Sequence, residues 1–318
     1  MENKFNVKLL SMAGQGGCAF GVGLMNLIQE HPEIMVLSSD MSTPAGLDKF
    51  KAAYPDHFMN VGIAEQNMIG IAAGLADEEY KPICVAQACF ITMRSFEQIR
   101  QYCGYMKLPL VIVGIGSGLS LQYMGNTHYA IEDIALMQSI PGMTVVSPCD
   151  SLEAMKALEA AVINDRSVYL RFYGGTGIPI IYHDDYPFEV GKAISLREGK
   201  DIQIIATGSM VVNALKVAEA LEENGISSSV TNMHTIKPLD YSAIDFGKRL
   251  IVTLEEHSVK SGLGSAVSEY LVSYPNSPTL LKFGINDTFM PVGSYVYLLE
   301  QAGLSVEVIK ERIRDFIL

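Results

Sequence analysis

The sequence has no CxxC pair, no basic run and no long apolar stretch, and each absence excludes a class of protein. Its five cysteines are scattered, at Cys18, Cys84, Cys89, Cys103 and Cys149. This spacing provides neither the disulfide framework of a small secreted domain nor the paired ligands of a zinc site. Reduced thiols in a cytoplasmic protein are therefore the simplest interpretation.

Charge and hydropathy exclude two further kinds of partner. The formal net charge is −12 and no basic cluster occurs, which disfavours binding to a nucleic-acid backbone. No stretch reaches the ~18 uninterrupted apolar residues expected of a membrane span. The apolar stretch near the amino terminus is interrupted by Gly and Gln, so we interpret it as strand, turn and helix rather than as a signal peptide. We expect a soluble, cytoplasmic protein.

The chain is long enough for two domains, since it has 318 residues and 49% hydrophobic content. Short apolar runs alternate with longer amphipathic stretches, which predicts parallel α/β sheets with helices on both faces. The clearest strand candidates occupy residues 34–39, 82–87, 108–116, 143–148 and 168–172. Residues 151–164 predict a helix with Ser151 as its N-cap.

A change in composition marks the boundary between the predicted domains. Gly, Pro and acidic residues replace the periodic pattern across residues 173–192. A smaller α/β pattern then resumes and ends in a helix near residues 306–316. We therefore predict a first domain at residues 1–178, a linker at 179–190 and a second domain at 191–318.

One carboxylate of the first predicted domain lies in unusual surroundings. The segment FMNVGIAEQNMIGIAAGLA, residues 58–76, places Glu65 among small and apolar residues. A buried carboxylate loses hydration, so it requires a partner that shares its charge or proton. Alternatively, Glu65 lies in the first turn of a helix over about residues 64–75, where the helix dipole favours a negative charge. The residues alone leave both interpretations open.

The segment VGIAEQNM, followed by a helix of small residues, resembles the cofactor-activating segment of transketolases and their deoxyxylulose-phosphate synthase relatives. Other blocks resemble the family in the family's order: LSSDMSTPAGLDKF at 37–50, MGNTHYAIEDIALMQSIPGMTVVSPCD at 124–150, VTNMHTIKPLD at 230–240 and TLEEHSVKSGLGSAVSEYL at 253–271. The resemblance covers essentially the whole chain but corresponds to the second half of a full-length transketolase. It implies a pyrimidine-binding domain and a C-terminal domain, each with a mostly parallel sheet flanked by helices.

The resemblance also implies thiamin diphosphate as the cofactor, whose carbanion chemistry is tuned and oriented by protein groups. The family glutamate that matches Glu65 hydrogen-bonds the aminopyrimidine ring and favours the tautomer that removes the thiazolium proton. The segment ACFITMRSFEQIRQ resembles the one whose aromatic side chains sandwich that ring, which implicates Phe90 first and Phe96 second. Asp40 ends a predicted strand where α/β folds present ligands, and it is either a cofactor residue or a turn residue.

His128, within GNTHYAIED, matches the family histidine that faces the substrate and assists proton movement at a substrate hydroxyl. Histidine suits this role because imidazole exchanges protons near neutral pH. The structural alternative is a hydrogen-bonding loop residue, but the place of His128 in a matched motif favours catalysis and substrate binding.

Several positions of the substrate site depart from the family pattern. Gly17, Gly116 and Gly174 match positions where transketolases usually hold the terminal phosphate with Arg or His. A hydrogen bond to a charged group contributes roughly 1.5 to 3 kcal/mol, so three such losses are substantial. Met124 replaces an acidic residue that contacts a donor hydroxyl, whereas Arg171 remains and either holds an anion or serves packing. We expect open space there and a sugar that lacks the usual phosphate contacts, such as a nucleotide-linked or modified sugar.

The sequence contains no GDG motif with the downstream Asn that family members use to hold Mg²⁺ and the diphosphate. Oxygen ligands normally bind the Mg²⁺ ion, and a helix amino terminus normally binds the diphosphate. We therefore expect no metal site in this chain and a separate amino-terminal subunit that holds Mg²⁺ and the diphosphate. The active site would lie at the interface of a dimer of heterodimers.

Together these features predict the C-terminal subunit of a split transketolase-like enzyme that transfers a two-carbon ketol unit from a ketose to an aldehyde. Three alternatives stay close to it: the β subunit of a 2-oxo-acid dehydrogenase, a deoxyxylulose-phosphate synthase-like enzyme and a noncatalytic partner subunit. A dinucleotide-binding enzyme is a rival from another class, because Gly14, Gly16 and Ala19 satisfy a GxGxxA pattern. Its flanking strand and acidic residue are unconvincing, so this signal is weak.

Overall fold

The computed structural model describes residues 14–175 and 178–317 as two helix-flanked sheets. The strands are β1 (Ile34–Ser38), β2 (Phe58–Asn60), β3 (Lys81–Gln87), β4 (Val111–Ile115), β5 (Thr144–Val146), β6 (Val168–Phe172), β7 (Ile194–Arg197), β8 (Ile202–Ala206), β9 (Ser228–Asn232), β10 (Thr235–Lys237), β11 (Leu250–Ser258) and β12 (Thr279–Ile285). The helices are α1 (Phe20–Glu30), α2 (Asp48–Ala53), α3 (Glu65–Asp77), α4 (Ala88–Arg94), α5 (Phe96–Ile99), α6 (Asp133–Gln138), α7 (Ser151–Ile163), α8 (Met210–Glu222), α9 (Leu263–Leu271), α10 (Tyr295–Gln301) and α11 (Val306–Ile317). Short π-helical turns occupy Gln15–Ala19 and Arg100–Tyr105, and 3₁₀ turns occupy Pro55–His57, Gln122–Met124 and Tyr241–Ala243.

Both sheets are parallel except at one edge. The seven-stranded sheet has the order β10-β5-β6-β4-β3-β1-β2, and only β10 is antiparallel to its neighbour. The five-stranded sheet has the order β12-β11-β8-β9-β7, with β7 antiparallel. The predicted fold class, two mostly parallel sheets flanked by helices, is confirmed.

The central strands are uninterrupted apolar runs because helices cover both faces of the sheet. In β3, Ile83 and Val85 contribute to the core on one face, whereas Cys84 and Ala86 contribute to the core on the other. All five residues of β4 are likewise buried. Each of the five predicted strands is therefore present, although some observed strands begin or end one to three residues inside the predicted limits.

The amino terminus of α7 corrects one prediction. Asp150, not Ser151, is the N-cap, because its side chain accepts a hydrogen bond from the backbone N–H of Glu153. Its second carboxylate oxygen accepts from the backbone N–H groups of Ile181 and Tyr182 at 2.8 and 3.0 Å. Asp150 thus satisfies donors of the helix and also attaches the segment between the domains.

Glu153 continues this attachment in the buried space beneath the same segment. Its carboxylate accepts from the backbone N–H of Cys149 at 2.7 Å, from Asn232 Nδ2 at 2.9 Å and from the Tyr186 hydroxyl at 3.1 Å. Burial, reinforced by the nearby charge of Asp150, raises the pKa of Glu153 to about 7. Residues 178–193 form no helix or strand, and these contacts bind them to both domains.

A buried ion pair near the carboxyl end of β6 also joins the two domains. Arg171 Nε donates to Asp133 Oδ2 at 2.8 Å, and Tyr169 donates to the same oxygen at 2.7 Å. Arg171 Nη2 also donates to the backbone carbonyl of Glu256 in the second domain, at 2.9 Å. Nearby, the backbone N–H of Ala135 donates to a ring nitrogen of a histidine on β11 at 3.3 Å. The Arg171 guanidinium therefore connects the domains.

The second domain also contributes a strand to the first sheet. Thr235 and Lys237 of β10 pair with Val146 and Val145 of β5. Lys237 Nζ then donates to the backbone carbonyl of Gln138 at 2.7 Å, beyond the end of that pairing. The segment before this strand thus crosses from one sheet to the other, and the domains share backbone hydrogen bonds.

The cysteines within the described part of the chain are free thiols. Cys84, Cys89, Cys103 and Cys149 are buried and form no disulfide, whereas the Cys18 side chain lies outside the described side chains. Burial raises the pKa of Cys89 to about 12 and that of Cys103 to about 11. None of the helices between residues 14 and 317 has the length and hydropathy needed to cross a bilayer.

Candidate functional site

Most predicted site residues lie at the carboxyl edge of the first sheet. Asp40 follows β1, Glu65 follows β2 at the start of α3, and Phe90 follows β3 within α4. Met124 and His128 lie in the long connection between β4 and α6. Parallel strands present their carboxyl ends at one edge, where open α/β sheets bind ligands. The topology thus brings segments that are distant in sequence to one surface.

Glu65 is the first residue of α3 and is 4% exposed. Arg94 Nη1 lies 3.0 Å from Glu65 Oε1, and the Arg94 side chain is 47% exposed. The two interpretations of Glu65 are therefore compatible, because this carboxylate occupies a helix amino terminus and also has a charged partner. The sequence predicted that a partner exists but did not identify it.

Arg94 connects Glu65 to the aromatic side chains of the site. Its Cζ lies 3.8 Å from the centroid of the Phe90 ring, which is a close cation–π contact. Phe90 is half-buried, and its ring meets His128 edge to face with centroids 5.3 Å apart. Glu65, Arg94, Phe90 and His128 therefore form one contiguous cluster, which we call the carboxyl-edge cluster.

His128 presents one nitrogen of its ring to this surface. Thr127 Oγ1 lies 2.8 Å from His128 Nδ1, so that nitrogen already has a hydrogen-bond partner. The ring is half-buried, and the two ends of its loop are held together by paired backbone hydrogen bonds between Gly118 and Ala130. The Nε2 atom is thereby positioned for hydrogen bonding or proton exchange with a ligand.

Asp40 is exposed and adopts a left-handed backbone conformation, with φ 55°. Its backbone N–H donates to Asn60 Oδ1 at 3.2 Å, and Asn60 Nδ2 donates to Asp40 Oδ1 at 3.3 Å. The neighbouring Ser39 hydroxyl donates to the Gly62 carbonyl and accepts from the Ala64 N–H. The turn therefore fixes the segment that leads into Glu65, and a cofactor contact by Asp40 stays a prediction.

Phe96 does not join the carboxyl-edge cluster. It begins α5 and packs against the core that contains Met68, Ile69 and Ile99, beneath α3. This packing gives the ring a structural role between the helices, and its role as the second stacking residue stays a prediction. Phe90 is the aromatic side chain that lies beside Glu65.

Two of the three glycines, Gly116 and Gly174, do not create the expected open space. A Cβ atom at Gly174 would lie 2.7 Å from Gly116 Cα, so backbone fills the space beside it. Gly116 itself has φ +83°, and a Cβ there would lie 2.8 Å from a methyl carbon of Leu121. These two glycines are required by close packing and a left-handed turn. Only Gly17 is exposed with its nearest neighbour at 3.9 Å, from the Pro44 carbonyl.

The structure separates the two remaining substrate candidates. Arg171 is 3% exposed and ion-paired with Asp133, so it serves packing, and its predicted contact with substrate is corrected. Met124 is 52% exposed and precedes Gly125, whose Cβ position would lie 3.1 Å from Val292 of the second domain. Met124 thus lies at the surface, in the same loop as His128, and its substrate contact stays a prediction.

Two features of the site were missed at the level of sequence. One is Arg94, which follows Phe90 by four residues, the spacing that places two side chains on one helix face. This spacing could have identified Arg94 as the cation that pairs with Glu65. The second domain also reaches the His128 loop. Asn126 Nδ2 donates to the Met290 carbonyl at 2.7 Å and its Oδ1 accepts from the Met290 N–H at 2.9 Å. That contact joins segments 164 residues apart, for which sequence provides no local signal.

The carboxyl-edge cluster has the chemistry that a flat, nitrogen-containing ring requires. It offers a carboxylate acceptor, an aromatic face that already stacks a planar cation, and an imidazole nearby. It does not resemble a metal site. Across residues 14–175 and 178–317, no three His, Cys, Asp or Glu side chains are grouped closely enough to hold a metal ion.

Two family models match the chain in succession. The model described as "Transketolase, pyrimidine binding domain" matches residues 16–173. The model described as "Transketolase, C-terminal domain" matches residues 191–309. Together they account for both sheets, with the irregular segment after β6 lying between them.

The similar proteins include subunits and sections of transketolases. The chain is 38% identical to a "Putative transketolase C-terminal section" of Methanocaldococcus jannaschii, over 93% of this chain and 94% of that protein. It is 37% identical to the "6-deoxy-6-sulfo-D-fructose transketolase subunit SqwH" of Clostridium sp. (strain MSTE9), over 90% and 89%. It is 34% identical to an apulose-4-phosphate transketolase subunit of Phocaeicola vulgatus, over 92% and 95%.

A solved structure is similar to this chain over nearly its whole length. The structure titled "Split gene transketolase, inactive beta4 tetramer" superposes with a TM-score of 0.86 at 37% sequence identity. The superposition covers 93% of this chain and 96% of the other.

Proposed function

This chain belongs to the transketolase family, and we propose that it is the C-terminal subunit of a split enzyme that transfers a two-carbon ketol unit from a ketose donor to an aldehyde acceptor. The observation that carries the proposal is the carboxyl-edge cluster. A buried Glu65, the face of Phe90 and the His128 imidazole converge where the fold presents ligands. This combination favours a thiamin enzyme over a noncatalytic partner subunit.

Each residue of the cluster has a role in this proposal. Thiamin diphosphate, when bound, supplies the carbanion chemistry. Glu65 would share its carboxyl proton with a ring nitrogen of the aminopyrimidine, and its burial would strengthen that hydrogen bond. Phe90 orients the ring by stacking against it. His128 Nε2 moves a proton at a hydroxyl of the substrate, while Thr127 holds the other ring nitrogen.

We further propose that Mg²⁺ and the diphosphate are held by a separate amino-terminal subunit, and that the two subunits form a dimer of heterodimers in the cytoplasm. The similarity to proteins named as subunits or C-terminal sections supports a split enzyme. The similar chain whose structure is titled an inactive β4 tetramer supports assembly into tetramers. Catalysis would then require the interface between unlike subunits.

The substrate is proposed to be a sugar whose terminal group this chain does not hold through a cation at the usual positions. Gly17, Gly116 and Gly174 carry no charge, and the Arg171 guanidinium is engaged in the core. The test compares kcat/KM for a ketose phosphate with that for the same ketose without phosphate, and with a nucleotide-linked sugar. A preference of more than about 100-fold for the phosphate ester, worth about 2.7 kcal/mol, would contradict this proposal.

The function is tested by titrating thiamin diphosphate and Mg²⁺ calorimetrically into the chain alone and into its mixture with the candidate amino-terminal subunit. We expect tight binding only in the mixture, and ketol transfer detected by mass spectrometry of the products. Glu65→Gln should lower turnover about 100- to 10,000-fold, the range for a lost proton-transfer group. Glu78→Gln, at the exposed far end of α3, is the matched control and should retain activity.

The alternatives predict other outcomes of the same measurement. A mixture that binds cofactor but decarboxylates a 2-oxo acid would identify a dehydrogenase-like or deoxyxylulose-phosphate synthase-like enzyme. A well-formed complex that neither binds cofactor nor transfers a ketol unit would identify a noncatalytic subunit. Unchanged turnover in Glu65→Gln would refute the role assigned to this carboxylate.

A further inference from the structure

Arg94 engages both groups that an aminopyrimidine ring needs. Its Nη1 lies 3.0 Å from Glu65 Oε1, and its Cζ lies 3.8 Å from the centroid of Phe90. Guanidinium is planar and carries N–H donors at its edge, so it satisfies the carboxylate and the aromatic face together. A flat ring that stacks on this face of Phe90 and also hydrogen-bonds to Glu65 would have to occupy the volume of the guanidinium.

We propose that Arg94 is a displaceable stand-in for the aminopyrimidine. In the free subunit its guanidinium occupies the position of that ring, and it rotates away when the cofactor binds. The inference rests on the proposed function, since it presupposes that Glu65 and Phe90 bind the ring. It adds a conformational step that the roles of Glu65, Phe90 and His128 do not require.

The environments of the three side chains show which of them moves. Glu65 is 4% exposed at the first turn of α3, and Phe90 is half-buried against the small core formed with Ala88, Cys89 and Ala130. Arg94 is 47% exposed at the last position of α4. Its long side chain reaches the pair from the solvent side, and rotation about its own bonds removes the guanidinium without a change in the backbone.

This exchange of partners explains why the contact exists. A buried carboxylate without a partner is strongly destabilising, and Arg94 provides one while the subunit is alone. The aminopyrimidine replaces the guanidinium with its own N–H group and ring face, so Glu65 is partnered before and after binding. Cofactor affinity is therefore lowered by the strength of the contacts that Arg94 must give up.

The size of that effect follows from the exposure of Arg94. An ion pair with a half-exposed partner and a cation–π contact at the surface each contribute up to about fivefold to an equilibrium constant. Removing both contacts should therefore tighten binding of thiamin diphosphate about 5- to 30-fold. A permanent role of Arg94 beside the bound ring predicts the opposite sign, because its removal would then weaken binding.

The experiment measures the dissociation constant of thiamin diphosphate, with saturating Mg²⁺, by calorimetry on the mixture with the candidate amino-terminal subunit. Arg94→Gln is expected to bind about 5- to 30-fold more tightly than the unmodified chain. Arg100→Gln, at an exposed arginine six residues later, is the matched control and should bind like the unmodified chain. Arg94→Lys keeps a charge beside Glu65 without the flat face, so it should fold and bind with intermediate affinity.

The outcomes separate this inference from the function on which it rests. Cofactor binding that is unchanged or weaker in both Arg94 variants, while the unmodified chain binds, overturns the stand-in and leaves the proposed function in place. The stand-in is supported if the Arg94 variants bind thiamin diphosphate more tightly than the unmodified chain, or if they alone bind it. Absence of binding in all four proteins refutes the proposed function and the stand-in with it.

Discussion

Replacing Glu153 by Gln should change how the stability of the protein depends on pH. Burial raises the pKa of Glu153 from 4.5 to about 7 in the folded chain. The folded state therefore holds this proton more tightly than the unfolded state does. The contribution to the free energy of unfolding is fully present below pH ~4.5, declines as pH rises, and is lost above pH ~7.

The size of this effect follows from the pKa difference. With about 1.36 kcal/mol per pKa unit, ionisation of Glu153 lowers the free energy of unfolding by about 3 kcal/mol between pH 4.5 and 7. Glutamine keeps the shape and the acceptor for the Cys149 N–H but does not ionise. Its amide oxygen remains one acceptor, so the contacts of Asn232 Nδ2 with both carboxylate oxygens are retained in part.

Urea unfolding of the unmodified chain and of Glu153→Gln at pH 5, 6, 7 and 8 measures this difference. The variant should gain about 3 kcal/mol relative to the unmodified chain between pH 5 and 8. Comparison of the two proteins cancels the parallel contribution of Glu255, whose pKa burial also raises to about 7. Glu219→Gln, exposed on α8, should follow the unmodified chain. A constant difference between the two proteins across this range would show that Glu153 does not titrate as its burial requires.

Three further substitutions test the contacts that hold the fold. Arg171→Met leaves the buried charge of Asp133 unpaired and should lower the free energy of unfolding by about 3 to 5 kcal/mol, with much of the loss recovered in the double variant Arg171→Met, Asp133→Leu. Asp150→Ala removes a helix cap and should cost at least about 1 kcal/mol, with faster proteolysis after β6; unchanged cleavage would contradict the attachment. Gly174→Ala should cost about 1 to 3 kcal/mol in urea unfolding, whereas Gly17→Ala should be tolerated, and equal effects would argue against close packing at Gly174.

The fold was predictable where a long local pattern carried the information. β4 is a fully buried run of apolar residues, β6 is mostly apolar apart from Arg171, and α7 has the period of an amphipathic helix, so each could be recognised from its own residues. The cap of α7 was assigned one residue too late because Asp150 and Ser151 are both suitable caps. The choice between them depends on Ile181 and Tyr182, whose backbone donors also bind Asp150.

The site was predictable in its residues but less so in their contacts. Glu65 and His128 lie in motifs, and their arrangement at one edge follows from the parallel strands. The identity of the Glu65 partner depends on how α3 and α4 pack, and the local pattern did not contain it. The glycines at these positions were interpreted as open space in the substrate site, because a sequence does not reveal which backbone atoms pack against a residue. At Gly174 a backbone atom of Gly116 lies only 2.7 Å from the position of a Cβ atom.

The strand that the second domain contributes to the first sheet has a consequence for any attempt to divide this chain. β10 covers the outer edge of β5, whose backbone N–H and C=O groups would otherwise face solvent. An isolated first domain, cut after β6, would expose that edge as a template for pairing with other chains. The boundary at which composition changes is therefore a poor place to truncate, since the sheet on its amino-terminal side is completed by residues on its carboxyl-terminal side.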